Sequence, residues 1–228
     1  MTAALLPVKE FEKSKNRLAG YLSAKERIEL ARTMFEDVWE VLLEATARKG
    51  GLGRLLVVSA EPYVVRRCRK EGVECLDEKE SDTHSDSVRR GTEWAMGLGV
   101  TCLLSIPIDS PGMTATEILT LARFGREHSV VLVPSVDGSG TNALVRRPPD
   151  AIDPRFGPGS CRLHIEEAEK KGLDWLVVRP PGLLTDIDTP EDVEEFLLAM
   201  RSRERSGERT VRTAGLLREW FRERNKAS

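Results

Sequence analysis

The sequence predicts an α/β fold: a single domain on a mostly parallel sheet with helices on both faces, extended by a helix at the C-terminus. Three observations predict it. Short apolar runs alternate with amphipathic stretches along most of the chain, the order that joins parallel strands through covering helices. The run at residues 101–108 is nearly continuous in apolar side chains, as in a strand covered on both sides. The stretches richest in Gly, Ser, Asp and Lys each follow a strand, where ligands bind in such sheets.

Residues 3–8 are apolar up to Val8 and predict a buried first strand. Lys9, Lys13, Lys15 and Arg17 follow without a period, which predicts a basic loop. Ser23 with Glu26 forms a capping box, and Ile28, Ala31, Phe35, Val38, Leu42 and Ala45 recur at helical spacing as far as Ala47. Gly50 and Gly51 end that helix. Residues 55–59 predict a buried strand, 62–70 a short helix and 73–76 another strand. A polar, acidic stretch covers 77–86, after which Val88, Trp94, Ala95 and Leu98 share one helical face. The apolar strand at 101–108 ends at Asp109.

A second capping box, Thr114 with Glu117, opens a helix carrying Ile118, Leu121 and Phe124. Residues 130–134 predict a strand, 135–142 a loop, 143–145 a short apolar piece, 156–160 a small-residue loop, 161–171 a helix and 175–178 a last strand. The segment 183–188 is expected to be extended, so that Asp186 and Asp188, one residue apart, point to the same side. Thr189 then reads as a helix N-cap, Pro190 as the first helical residue and Asp192 as an acid in the first turn. The domain is expected to span residues 1–200. Residues 201–228 form a charged linker and an amphipathic helix, with Leu216, Leu217, Trp220 and Phe221 close together. That helix is expected to pack on this chain or on a partner subunit, which makes a homodimer conceivable.

At 228 residues the chain can bury a full core, and 40% hydrophobic with 32% charged residues is ordinary for a globular protein. A net charge of −2 argues against non-specific binding to nucleic acid. Cys68, Cys75, Cys102 and Cys161 form no C-x-x-C pair and no zinc-type spacing with the histidines, so reduced thiols are expected. The N-terminus lacks a charged, long apolar leader and no apolar run reaches 18 residues. A cytoplasmic protein, neither exported nor membrane-spanning, is the expectation.

Asp109 ends a strand and precedes Ser110, Pro111 and Gly112, so its carboxylate can project from the sheet edge; turn chemistry is the alternative. Asp186 and Asp188 repel unless a cation or proton lies between them, and with Asp109 they form a candidate magnesium site. The alternative is that the paired acids cap a helix and face water. Lys9, Lys15 and Arg17 could neutralise a triphosphate, whereas Lys13 reads as solvated. No G-x-x-x-x-G-K-[ST] loop is present, nor a G-x-G-x-x-G after the first strand. Gly138 to Thr141 and Gly157 to Ser160 could each wrap an anion, or be ordinary turns. His84, His128 and His164 have no nucleophile partner at a recognisable spacing and read as surface or structural residues.

With these pieces placed, the chain resembles the 2-phospho-L-lactate and phosphoenolpyruvate guanylyltransferases of coenzyme F-420 biosynthesis, which share a Rossmann-like, nucleotide-diphosphosugar-transferase-like nucleotidyltransferase fold. The resemblance rests on five ordered motifs: Pro7-Val8-Lys9 with Ser14 to Leu18; Asp109-Ser110-Pro111; Gly138 to Leu144; Arg155 to Ser160; and Asp186 to Asp192. It implies that Asp109, Asp186 and Asp188 carry magnesium and that Lys9, Lys15 and Arg17 face the phosphates of GTP. It implies that Lys15 and the three aspartates serve catalysis, and that Thr141, Gly157 and Ser160 hold a phosphorylated three-carbon acid. The implied reaction is attack of the acceptor's phosphate oxygen on the α-phosphorus of GTP with release of pyrophosphate.

Two stretches depart from the family's pattern. A Leu-Asn pair usually opens the helix after the third strand, where this chain has Ser85-Asp86-Ser87-Val88-Arg89, and Asp-Leu-Pro usually stands where this chain has Asp109-Ser110-Pro111. The first departure resembles cytidylyl- and molybdopterin-type nucleotidyltransferases, and Arg89 could offer a fork to an anion or lie exposed. Two rival readings stay open: another nucleotide or acceptor on the same fold, and a nucleotide-binding subunit without turnover. An aspartate-based phosphatase would carry its Asp-x-Asp after the first strand, a place taken here by Lys9.

Overall fold

A computed structural model describes residues 1–78, 83–208 and 210–227. Among these, seven strands form one sheet: β1 (Thr2–Val8), β2 (Arg54–Ser59), β3 (Glu74–Asp77), β4 (Cys102–Ser105), β5 (Val130–Pro134), β6 (Thr141–Arg146) and β7 (Trp175–Val177). Their order across the sheet is β3-β2-β1-β4-β6-β5-β7. β6 runs antiparallel to both neighbours, and the other pairs are parallel. The apolar piece expected at 143–145 is thus a full strand that reverses direction after a tight loop. The predicted strand at 101–108 is cut short at Ser105, because Pro107 has no N–H to donate to a ladder. Part of the acidic stretch expected at 77–86 lies outside the described residues.

The helices are α1 (Ala24–Ala47), α2 (Pro62–Glu71), α3 (His84–Gly97), α4 (Ala115–Glu127), α5 (Ser160–Lys170), α6 (Pro181–Leu184), α7 (Pro190–Arg205) and α8 (Arg212–Ala227). Ser23, Thr114 and Thr189 each close the capping box at their helix starts. Strand periodicity then sorts the core. Ala4, Leu6 and Val8 of β1 face α1 and α4, whereas Ala3 and Leu5 face α3 on the other side. Val130, Leu132 and Leu144 pack on Ala168 of α5. Both faces of the sheet are covered, as the sequence predicts.

Two features differ from the sequence reading in ways that shape the site. The basic loop after β1 is folded into two short 3-10 turns, Phe11–Lys13 and Asn16–Leu18. Leu183 and Leu184 are helical rather than extended, because Pro181 starts the short α6 and extended backbone resumes only at Thr185. α7 also runs to Arg205, beyond the point at which the sequence places a linker. α8 packs on this chain: Ala214 and Leu217 join Leu18, Leu22, Ile187, Val193 and Phe196 in one buried cluster. Asp37 of α1 caps it from across space, accepting from the N–H groups of Arg212 (3.0 Å) and Thr213 (2.8 Å).

Candidate active site

A cavity of about 740 Å³ opens at the sheet edge where β1, β4 and β5 end and β6 begins. β6 contributes its first residue, Thr141, because an antiparallel strand starts where its parallel neighbours stop. Lys9, Lys15, Arg17, Asp109, Thr141, Gly157, Asp186 and Asp188 all line this space, so the tertiary structure gathers residues spread over most of the chain. Ser160 does not line it.

Lys15 holds one end together. Its backbone adopts the left-handed conformation, φ 56°, between the two 3-10 turns. For a side chain with a Cβ this is an uncommon, strained state that persists where surrounding contacts enforce it. The contacts here are two carboxylates: the ammonium bonds Asp109, and lies 3.0 Å from Asp188 Oδ1. The Lys15 side chain is 2% exposed, whereas both partners are 36% exposed and open towards the cavity. Burial disfavours the ammonium, but the two aspartates outweigh it and hold Lys15 above the ordinary lysine range. Asp188 is pulled below the usual carboxylate range against its own burial, by Lys15 and by Arg17, whose guanidinium is 3.8 Å away and mostly exposed. Lys13 pairs with Glu10 at the surface.

Asp186 is held differently. Asn142 donates to Asp186 Oδ1 at 3.3 Å and to the carbonyls of Leu183 and Leu184 at 2.9 Å each, so it fixes the end of α6 and the first acid together. Ile187 N–H donates to Asp109 O at 3.0 Å, which ties the acidic segment to the loop after β4. Ser110, at one departure from the family pattern, is fully buried and its hydroxyl donates to Leu183 O at 3.4 Å. Burial, and then the charges of Asp188 and Asp109, raise the Asp186 carboxyl above its ordinary value. Thr189 and Asp192 do the capping of α7: Asp192 Oδ2 accepts from the N–H groups of Asp188 and Thr189. The paired acids before them are free of that task.

Thr141 stands on two buried residues. Ser160 Oγ donates to Thr141 Oγ1 at 3.0 Å, and His164 Nδ1 lies 3.2 Å from the same oxygen. Ser160 and His164 are fully buried, so Ser160, which the resemblance implies holds the acid, stands behind Thr141 and off the cavity lining. Gly157 reaches the wall through a backbone φ of 131°. The ring of Phe156 is wedged edge-on between His84 (4.7 Å) and His164 (5.6 Å).

The first small-residue loop is not an open anion cradle, and the second spends two of its N–H groups within the fold. Asp137 fills the first: its carboxylate accepts from Ser135 Oγ, Ser139 N–H and Ser139 Oγ, and these bonds lower its pKa to about 2. In the second, Ser160 N–H is spent on Gly157 O and Cys161 N–H on Ser139 O. Arg89 pairs with Asp86 on the exposed face of α3, outside the cavity.

Sequence reasoning missed Asn142, His84 and the role of His164. Asn142 had a signal, since it directly follows Thr141 in a motif that carries the resemblance. His84 had none; it lines the cavity, its Nε2 is buried without a partner, and burial lowers its pKa to about 4. His128 lies on the surface against Asp174. The four cysteines are free thiols. No helix of the described residues is long and apolar enough to cross a membrane.

The chain matches the family model "Guanylyl transferase CofC like" over residues 2–213. It is 36% identical to a phosphoenolpyruvate guanylyltransferase of Conexibacter woesei over 97% of each chain. It is 31% identical to a 3-phospho-D-glycerate guanylyltransferase of Colwellia psychrerythraea, over 88% of this chain and 92% of that one. Among solved structures, a nucleotide-diphospho-sugar transferase from Desulfovibrio desulfuricans G20 superposes with a TM-score of 0.74 at 18% identity, covering 96% of this chain and 94% of that one. The last likeness shows the fold.

Proposed function

Because the chain belongs to the CofC-like family of guanylyl transferases, we propose that it joins GMP from GTP to the phosphate of a small phosphorylated three-carbon acid, releasing pyrophosphate, in coenzyme F-420 biosynthesis. The observation that carries this reading is the convergence of Lys15, Asp109 and Asp188 with Asp186 and Thr141 on one cavity at the sheet edge.

In the proposed reaction an oxygen of the acceptor's phosphate attacks the α-phosphorus of GTP. The bond from that phosphorus to the β-bridging oxygen breaks, and its electron pair leaves with pyrophosphate. A phosphate is already ionised, so no general base is required, and His84, the histidine that lines the cavity, is a poor proton acceptor because burial lowers its pKa to about 4. What remains for the protein is positioning and charge neutralisation. Lys15, fixed between two acids and raised in pKa, keeps a permanent positive charge beside the phosphates. Lys9 and Arg17 line the same cavity.

What supports magnesium here is the chemistry of Asp109, Asp186 and Asp188, all carboxylates that line the same cavity. Asp186 has a raised pKa because burial and two neighbouring negative charges leave it short of positive charge, and an all-oxygen donor set suits this hard cation. Among the described residues no three acidic, histidine or cysteine side chains by themselves form a metal cluster. Magnesium usually keeps water and phosphate oxygens as further ligands, so a bound triphosphate would have to complete the site. Asp109, Asp186 and Asp188 would hold it, and when bound it would supply further positive charge to the phosphoryl oxygens.

The test is pyrophosphate release from GTP and magnesium with phosphoenolpyruvate, 2-phospholactate and 3-phosphoglycerate as acceptors. Release with at least one of them, and stabilisation against heat by GTP above CTP and ATP, is the expected result. Release with none from a folded protein would defeat the proposal, and preference for another nucleotide would defeat its guanylyl part.

A further inference from the structure

Thr141 differs from the other cavity hydroxyls in what stands behind it. The backbone N–H of Arg155 donates to His164 Nε2 at 2.9 Å. A backbone amide can only donate, so Nε2 must present a lone pair, and in a neutral ring the proton then sits on Nδ1. The ring is neutral: burial, aided by Arg146 and Arg155 and opposed by Glu167, lowers its pKa to about 4. Nδ1–H therefore donates to Thr141 Oγ1, 3.2 Å away. Ser160 Oγ donates to the same oxygen at 3.0 Å. A threonine hydroxyl has two lone pairs and one proton, and both lone pairs are now taken.

From this we propose that His164 is a positioning residue that commits the Thr141 hydroxyl to act only as a hydrogen-bond donor, aimed at an anionic oxygen of the phosphorylated acid in the cavity. The inference rests on the reading of this cavity as the acceptor site. Thr141 is 7% exposed and lines the cavity, so its remaining proton has the cavity as its outlet. A hydroxyl polarised by two accepted bonds is a stronger donor than one free to rotate. It rewards a carboxylate or phosphate oxygen, which can only accept, and penalises an alcohol or amide N–H placed against it. Phe156, edge-on to His164 at 5.6 Å, keeps the imidazole from turning.

Two measurements on the full chain test this. In ¹⁵N-labelled protein, long-range ¹H–¹⁵N correlation reads which ring nitrogen of His164 carries the proton, with the resonance assigned by its loss in His164→Asn. The Nδ1–H form at pH 7 is expected, and the Nε2–H form overturns the proposal. Calorimetry then reads the affinity for phosphoenolpyruvate, 2-phospholactate and 3-phosphoglycerate. His164→Asn keeps an N–H near the place of Nδ1 and should bind the preferred acid within about twofold of the original protein. His164→Gln keeps an acceptor for Arg155 but loses that N–H, and should weaken binding by about tenfold, the scale of one hydrogen bond to a charged group. In a Thr141→Val background the His164→Gln change should have no further effect, while GTP affinity stays constant throughout. Equal losses in both variants, additive losses with Thr141→Val, or binding of none of the acids by the original protein would each overturn it. Binding without pyrophosphate release would instead count against the proposed reaction and leave this inference standing.

Discussion

The Lys15 ammonium lies 3.0 Å from Asp188 Oδ1, across 173 residues of sequence. It also bonds Asp109, so one buried cation links the loops after β1 and β4 to the segment before α7. Replacing it tests both its charge and its grip. Lys15→Met is expected to lower the rate of pyrophosphate release by about 10²- to 10³-fold, the effect of removing one electrostatic stabiliser from a transition state. Lys15→Arg should recover only part of this, since a planar fork does not fit a pocket shaped for a compact ammonium. Steady-state rates with saturating GTP read the outcome.

Asn142 holds Asp186 by one bond and the end of α6 by two more. Loss of a group that orients a metal ligand typically costs 10- to 100-fold in metal affinity. Asn142→Ala should raise the magnesium concentration for half-maximal activity by about that factor, roughly 10- to 100-fold, and Asp186→Asn should raise it at least as far. Chelation of divalent ions should stop pyrophosphate release in the unaltered protein. Magnesium titrations of all three forms check this, and equal requirements would contradict the assignment.

His164 makes folding sensitive to acid in a defined direction. Its folded-state pKa, about 4, lies below the ordinary value of 6.5, so on acidification the unfolded chain takes up the proton first. The contribution of the neutral ring is therefore fully present above pH 6.5 and is lost as the pH falls towards 4. For this fully buried ring the loss is on the order of 3 kcal/mol. Thermal midpoints between pH 7 and 4.5 should fall less steeply in His164→Asn than in the original protein.

Gly182 sits where two segments nearly touch. A Cβ built on it would stand 2.5 Å from Gly112 O and 2.5 Å from Glu117 Oε2, and its own N–H donates to Glu117 Oε1 at 2.8 Å. Gly182→Ala must push α6 away from the loop after β4, at a cost of about 1–3 kcal/mol. Because α6 leads directly into Asp186, activity should fall along with stability. Urea denaturation and the pyrophosphate assay, run on the same preparation, measure the two effects.

The sequence by itself determined the starts of α1, α4 and α7, the alternation of most elements and the family. Capping boxes at Ser23 and Thr114, the N-cap at Thr189 and the apolar periodicities are signals written within a few residues of where they act. Asp109, Asp186, Asp188 and Thr141 stood out for the same reason, each at the end of a legible run or in a short motif. Tertiary structure alone decided the rest. No local pattern states that β6 runs antiparallel, because an apolar strand looks the same in either direction, yet that reversal brings Thr141 to the cavity. Lys15 stood out as one of three cations suited to a triphosphate, but its pairing with Asp109 and Asp188 arises only when the loops after β1 and β4 and the segment before α7 come together. Ser160 and His164 owe their positions behind Thr141 to the packing of α5 under the sheet edge. Contacts between residues far apart in the chain form only when the core brings their elements together, and the assignment of hydroxyls, carboxylates and charges to one another follows from that closure.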